Sequence, residues 1–110
     1  MPNNLPDNLP DNASLFAALG DETRLRLVER LGAGAESIVS LTKGGDLTRQ
    51  AITKHLYVLE RAGLVTCARL GRASLWRLQR QRLDDARNFL DLMSRQWDER
   101  LDRLKSFVEK

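Results

Sequence analysis

The sequence predicts a mainly α-helical domain that carries one β-hairpin and ends in a long helix. Three observations predict it. Residues 47 to 64, LTRQAITKHLYVLERAGL, repeat apolar side chains at helical spacing. Two β-type runs flank Gly71, and leucines or tryptophan recur every seven positions from Leu83 onward. With 110 residues, 42% of them hydrophobic and 5% aromatic, the chain fits one small helical domain whose core is marginal alone.

Residues 1–12 stand apart and are expected to form a flexible N-terminal arm. They hold a short tandem repeat, Asn4-Leu5-Pro6-Asp7-Asn8 and then Leu9-Pro10-Asp11-Asn12, in which proline and Asn/Asp disfavour regular structure. The arm's only charged side chains are Asp7 and Asp11, so it is not expected to enter a DNA groove.

Residues 13–80 supply the body of the domain. Leu15 to Leu19, Leu25 to Leu31 and Ile38 to Leu41 are three short apolar patterns, separated by Gly20, by Gly32 to Gly34, and with Gly44-Gly45 after the last. Asp21 is placed to cap the second helix. Within 47–64, Ile52, Leu56 and Leu59 form one buried stripe, while Thr48, Arg49, Gln50, Thr53 and Lys54 face outward from the first turns.

That helix stops at Gly63, suited to the left-handed position after a helix, and a strand follows from Val65 to Leu70. Gly71-Arg72-Ala73-Ser74 makes a basic tip, and Leu75 to Leu78 returns with Arg77 outward, giving a two-stranded hairpin. Three helices, a recognition helix and a hairpin occur in the order of a winged helix-turn-helix.

Residues 81–110 are expected to form a dimerisation helix belonging to the same compact domain. Leu83, Leu90, Trp97 and Leu104 lie seven apart, with Ala86, Met93 and Phe107 at the companion spacing and Leu101 beside them. From Leu83 to Phe107 the helix would span roughly 40 Å, longer than a domain of this size covers with its own core. Leu83 to Leu90 can fold back on the domain; Trp97 to Val108 cannot. A second copy of the chain would bury the seam, whose side chains contribute about 1.5 to 3 kcal/mol each if fully buried. A two-fold pairing would also place two recognition helices in successive major grooves, roughly 34 to 36 Å apart.

Charge singles out the same region. Between Lys43 and Arg82 stand nine basic residues (Lys43, Arg49, Lys54, Arg61, Arg69, Arg72, Arg77, Arg80, Arg82) against Asp46 and Glu60, whereas the whole chain carries a net charge of only +3. Basic charge gathered over one helix and hairpin suits a phosphate backbone. Arg and Gln pair with purine edges, Thr reaches base or phosphate, and Lys neutralises phosphate charge, so the expected partner is double-stranded DNA.

The remaining composition excludes other classes. No apolar run approaches the ~20 residues of a membrane span, and the N-terminus lacks a secretory signal pattern, so a cytoplasmic protein with no membrane partner is expected. The lone Cys67 cannot form an internal disulfide; a redox switch there would need a resolving thiol across a dimer, and inert packing on the strand is the alternative. With one His, no phosphate-binding Gly loop and no nucleophile set, no enzyme is expected. Single-strand binding would need stacking aromatics, for which only Tyr57 and Trp76 are candidates. The alternative from another class is a protein-interaction module, with the winged domain as scaffold and the terminal helix binding a different protein; the basic segment speaks against it.

The chain resembles the ArsR/SmtB-type winged-helix repressors of bacteria, over roughly residues 14 to 79. The matching residues run from Leu15-Phe16 through LGDETRLRLV at 19–28, then Leu41, Thr48 to HLYVLERAGLV at 55–65, and Gly71-Arg72. The resemblance implies sequence-specific DNA binding by a homodimeric repressor, with an effector still to be identified. It also implies dimerisation through terminal helices, so the expected interface is Leu15, Phe16 and Leu19 with Leu90, Met93, Trp97, Leu101, Leu104, Phe107 and Val108. The expected DNA contacts are Thr48, Arg49, Gln50, Thr53, Lys54, His55, Tyr57, Arg69, Arg72, Ser74 and Arg77, with a structural packing role open as the alternative for His55.

Metal sensing is common among such repressors, and this sequence departs from it. The family's paired-thiolate position falls at Ser37 and Val39, neither a soft ligand, and the sole histidine, His55, lies off the dimerisation helix. No metal and no cofactor are expected, and the Trp97 to Leu104 extension resembles that of a non-metal branch. Glu22 stands where a Pro often opens the second helix, and Gly45 replaces a usual apolar residue.

Overall fold

The computed structural model describes residues 9–109. Five helices and three short strands follow in the order α1 (Leu9–Leu19), α2 (Glu22–Gly32), β1 (Glu36–Ser37), α3 (Ile38–Thr42), α4 (Arg49–Arg61), β2 (Val65–Leu70), β3 (Ala73–Leu78) and α5 (Arg80–Val108). The mainly α winged helix-turn-helix expected from the sequence is the fold observed.

Each helix start carries a local reason. The Asp21 carboxylate accepts the backbone N–H of Arg24 at 3.0 Å and caps α2. Ser37 Oγ accepts from the Ser40 N–H and Thr48 Oγ1 from the Ala51 N–H, both at 3.1 Å, capping α3 and α4. At the end of α4 the chain reverses through Gly63, φ +77°, a value that side chains with a Cβ avoid.

One correction concerns the N-terminal arm. Helix α1 already begins at Leu9, so the second repeat unit, Leu9-Pro10-Asp11-Asn12, is helical and not part of a flexible arm of residues 1–12. Pro10 lies in the first turn, where a backbone N–H has no intrahelical partner to lose, and Asn12 is buried. The rest of the expected arm, residues 1–8, lies outside the described residues.

The expected two-stranded hairpin is present as β2 and β3, and a third strand joins it: the sheet order is β1-β3-β2, antiparallel throughout, because Glu36 and Ser37 pair with Trp76 and Leu75. In the hairpin, Val65 faces Leu78 and Leu70 faces Ala73, which leaves Gly71 and Arg72 as a two-residue turn. Gly71 has φ +63° and Arg72 does not, the φ signature of a type II′ turn. The strand therefore begins at Ala73, two residues before the expected Leu75.

The core is continuous. Leu15, Leu27, Leu31, Leu41, Ile52, Leu56, Leu59, Leu64, Val65, Trp76 and Ala86 are buried together, so every long element contributes to one cluster. The stripe Ile52, Leu56 and Leu59 fixes which face of α4 is left outward. Arg30 on α2 pairs with Glu36 through Nε–Oε2 at 2.8 Å and Nη2–Oε1 at 2.9 Å, and its Nη2 also donates to the Ser40 carbonyl at 2.8 Å. This ion pair fastens α2 to the start of α3, and it holds the Glu36 carboxyl below its usual range, first through Arg30 and then through Ser40 Oγ.

Candidate nucleic-acid interface

Helix α4 offers its first turns to solvent. Arg49, Gln50 and Lys54 are exposed, and among the described residues no hydrogen bond or ion pair is seen for their side chains. Two expected contacts are already partly engaged. Thr48 Oγ1 caps the helix, and Thr53 Oγ1 donates to the Arg49 carbonyl at 2.7 Å, leaving its methyl group and lone pairs for a partner.

The first turn of α4 holds no acidic residue. A cation at a helix N-terminus opposes the macrodipole, so Arg49 is a poor choice for helix stability and a good one for meeting a phosphate beside free backbone N–H groups. The wing extends this positive surface. Arg69, Arg72 and Arg77 are exposed on β2, the turn and β3, with the half-buried Ser74 between them.

Tyr57 lies on the same helix and tilts toward the wing, its ring centroid 6.1 Å from that of Trp76. Tyr57 stays half-exposed, whereas Trp76 is 4% exposed. Trp76 is thus a core residue, not the base-stacking platform that single-strand binding would need.

His55 has its Nδ1 3.3 Å from Arg24 Nη1 and 3.8 Å from Asp21 Oδ2, so one edge of the ring meets the α1–α2 junction, which favours the packing role left open above. Arg24 itself donates to the Ala18 carbonyl at 2.6 Å and the Ala17 carbonyl at 3.4 Å, closing the end of α1. The Asp21 carboxyl is held below its usual range, first by the Arg24 backbone N–H and then by the Arg24 charge.

Arg82 departs from the basic surface. Sequence counts it with the phosphate-facing charges, yet its guanidinium is enclosed among α1, α4 and α5. Sequence reasoning missed this residue as a structural joint, because its partners Ala62 and Asp11 present only backbone carbonyls.

The far end of the molecule is apolar and open. Helix α5 has 29 residues, about 43 Å at helical rise, in a molecule 68 Å along its longest axis. Leu83 and Ala86 pack on the body, and Phe89 meets Phe16. Outward lie Leu90 (56% exposed), Met93, Trp97 (60%), Leu101, Leu104, Phe107 (78%) and Val108. Two expectations change here. Leu90 points away from the domain it could have folded onto, and Leu15 of the expected interface is wholly enclosed in its own chain's core, with no surface left for a partner. Phe16 and Leu19 are half-buried against that core.

Comparisons with known proteins agree with this architecture. A family model described as a helix-turn-helix domain matches residues 19–68. An uncharacterized HTH-type transcriptional regulator of Bacillus subtilis (strain 168), YuzN, is 46% identical over 66 residues, covering 54% of this chain and 72% of its own length. The solved structure of an ArsR-like transcriptional regulator from Rhodococcus sp. RHA1 superposes with a TM-score of 0.85 at 35% identity, covering 93% of this chain and 96% of that one. A homodimeric winged helix-turn-helix DNA-binding domain from Mycobacterium bovis shares the fold with a TM-score of 0.63 at 22% identity, over 89% of this chain and 92% of that one. With a capped, basic recognition helix, a wing beside it and relatives of this closeness, the chain belongs to the ArsR family of winged helix-turn-helix transcriptional regulators.

Proposed function

We propose that this DNA-binding regulator works as a homodimeric repressor on an inverted-repeat operator, without metal sensing and without a catalytic step of its own. The observation that carries the reading is the open apolar seam of α5, from Leu90 to Val108, on a helix whose first turn adjoins the end of the recognition helix. An apolar stripe of this length is costly in water, and a second copy matches it by symmetry. The homodimeric state of the Mycobacterium bovis domain, which has the same fold, supports the same assembly.

Arg49, Gln50, Lys54 and the outward parts of Thr48 and Thr53 read the major groove, while Arg69, Arg72, Ser74 and Arg77 hold the backbone or minor groove at the wing. Tyr57, at the wing-side edge of α4, contacts the backbone. A chromosomal DNA partner supports a cytoplasmic location. The metal-free reading rests on ligand chemistry. Ser37 spends its hydroxyl on the α3 cap, and Val39 offers no donor atom.

Selection from random duplexes tests the proposal. It should recover an inverted repeat with half-sites about one helical turn apart, roughly 34 to 36 Å centre to centre. Enrichment of isolated half-sites, or of no sequence, would overturn it.

A further inference from the structure

We infer that Arg82 is the positioning residue that sets the recognition helix against the dimerisation helix, and so fixes the half-site spacing the protein accepts. The inference rests on the dimer reading above. Between the end of α4 and the start of α5 the chain runs out along the whole hairpin and back, so covalent connection alone leaves their relative orientation loose. Non-covalent contacts must set it.

At Gln79 the backbone N–H donates to the Leu64 carbonyl at 2.7 Å and Nε2 to Thr66 Oγ1 at 2.8 Å, bonds that extend the β2–β3 ladder without joining helix α5 to helix α4. Arg82, on the first turn of α5, makes the joining contact and makes it in three directions. Its Nε donates to the Ala62 carbonyl at the end of α4 at 3.1 Å, Nη2 to the Asp11 carbonyl of α1 at 3.1 Å, and Nη1 pairs with Asp85 of α5 at 3.0 Å.

A planar guanidinium bonded to three helices resists rotation about any one of those bonds, which a point-charge ammonium cannot do. The side chain is only 22% exposed, so water competes weakly for the bonds to Ala62 and Asp85, while the bond to Asp11 lies at the surface. The cation also meets the negative end of the α4 dipole, where carbonyls lack intrahelical partners. Gly63 completes the joint. A Cβ built there would come within 3.1 Å of Arg82 Cγ, so the arginine stem lies directly on the backbone that leaves the recognition helix.

In a dimer, any rotation at this joint is doubled across the two-fold axis. One base pair of altered spacing rotates a half-site by roughly 35°, so a rigid joint rejects wrong spacings and a loose one tolerates them. The test uses the full chain and its Arg82→Met and Arg82→Lys variants. Affinity is measured on the selected operator, on a lone half-site, and on operators with the spacer lengthened or shortened by one base pair. Both variants should remain dimeric in sedimentation and bind the half-site within about twofold of the parent. Their full-operator affinity should fall on the order of tenfold, and their preference for the native spacing should largely vanish. Arg82→Lys, whose stem still covers Gly63, carries the same test should Arg82→Met fail to fold.

A dimeric parent whose spacing preference survives unchanged in the folded variants overturns the role of Arg82 alone. Equal losses on half-site and full operator do the same, since they would mark a merely structural residue. A parent that sediments as a monomer removes the dimer and this role together.

Discussion

The rings of Phe16 and Phe89 lie 5.6 Å apart and tilted by 50°, and this pair decides which way α5 faces. Tilted packing at that separation is a favoured aromatic arrangement. With Phe89 held against α1, the next residue, Leu90, turns outward, and the residues one and two turns on, Met93 and Trp97, emerge beside it. Neighbouring positions on one helix therefore serve different purposes: one stripe builds the monomer and the adjoining stripe waits for a partner.

Adjacent substitutions separate those purposes. Phe89→Ala should lower the stability of the fold by about 2 kcal/mol, less than the roughly 3 to 5 kcal/mol of a fully buried aromatic because the ring is only half-buried. Leu90→Ala should leave the monomer core intact and show its effect as a shallower dependence of the unfolding midpoint on protein concentration, with a loss that grows as concentration rises. Denaturant titrations at two concentrations check both. Equal, concentration-independent losses in the two variants would show that Leu90 packs within its own chain.

The recognition helix and wing should divide into reading and anchoring roles. Gln50→Ala should cost about 1 to 3 kcal/mol on the cognate operator and little on unrelated duplexes. Arg72→Ala should weaken both alike and flatten the salt dependence by roughly one phosphate contact. Fluorescence anisotropy across a salt series distinguishes them, and parent-like binding by both variants would show that α4 and the wing tip do not meet DNA.

Much of this was legible before the fold was known, because the signals were local. Ile52, Leu56 and Leu59 announce their helix by spacing, and Gly63 and Gly71 mark reversals that need positive φ. Other features depend on long-range partners. Glu36 and Ser37 form a strand only because Trp76 and Leu75 lie alongside, and two residues carry no period to detect. One edge of the His55 ring meets Asp21 and Arg24, which are distant in sequence. Leu15 shows the limit of apolar pattern, since spacing identifies a buried face without saying whether the same chain or a partner covers it. Pro10 misled for a different reason: proline disrupts a helix interior but fits its first turn.

Acid should weaken the fold through Asp21 and Glu36. Both carboxyls sit below their usual range in the folded chain, Asp21 through the Arg24 backbone N–H and Glu36 through Arg30. A group with a depressed folded value stabilises above its unfolded value, about pH 4, and that contribution is lost as pH falls through the folded value. The unfolding midpoint of the parent should therefore decline as pH is lowered from about 5 to 3, and less steeply in an Asp21→Asn, Glu36→Gln variant. Asn keeps a cap at position 21 while removing its titration. An identical slope in parent and variant would show that other carboxylates control the acid limb.

Zinc should not act on this protein. With Ser37 and Val39 at the paired-thiolate position, neither stoichiometric zinc nor a chelator should change operator affinity. A reproducible tenfold release by zinc, a coupling of about 1.4 kcal/mol, would contradict the metal-free reading.

Trp97→Asp, followed by sedimentation and operator binding on the same preparation, tests the dimer most directly. The side chain is 60% exposed in one chain, so the substitution should spare the monomer fold while placing a charge in the proposed interface. The parent should sediment as a dimer at micromolar concentration and the variant should shift toward monomer. Operator affinity should then fall on the order of a hundredfold, because a second tethered recognition helix is lost, while half-site affinity changes little. A monomeric parent, or a Trp97→Asp variant that stays dimeric and binds the operator normally, would contradict the claim that the α5 seam builds the DNA-reading dimer.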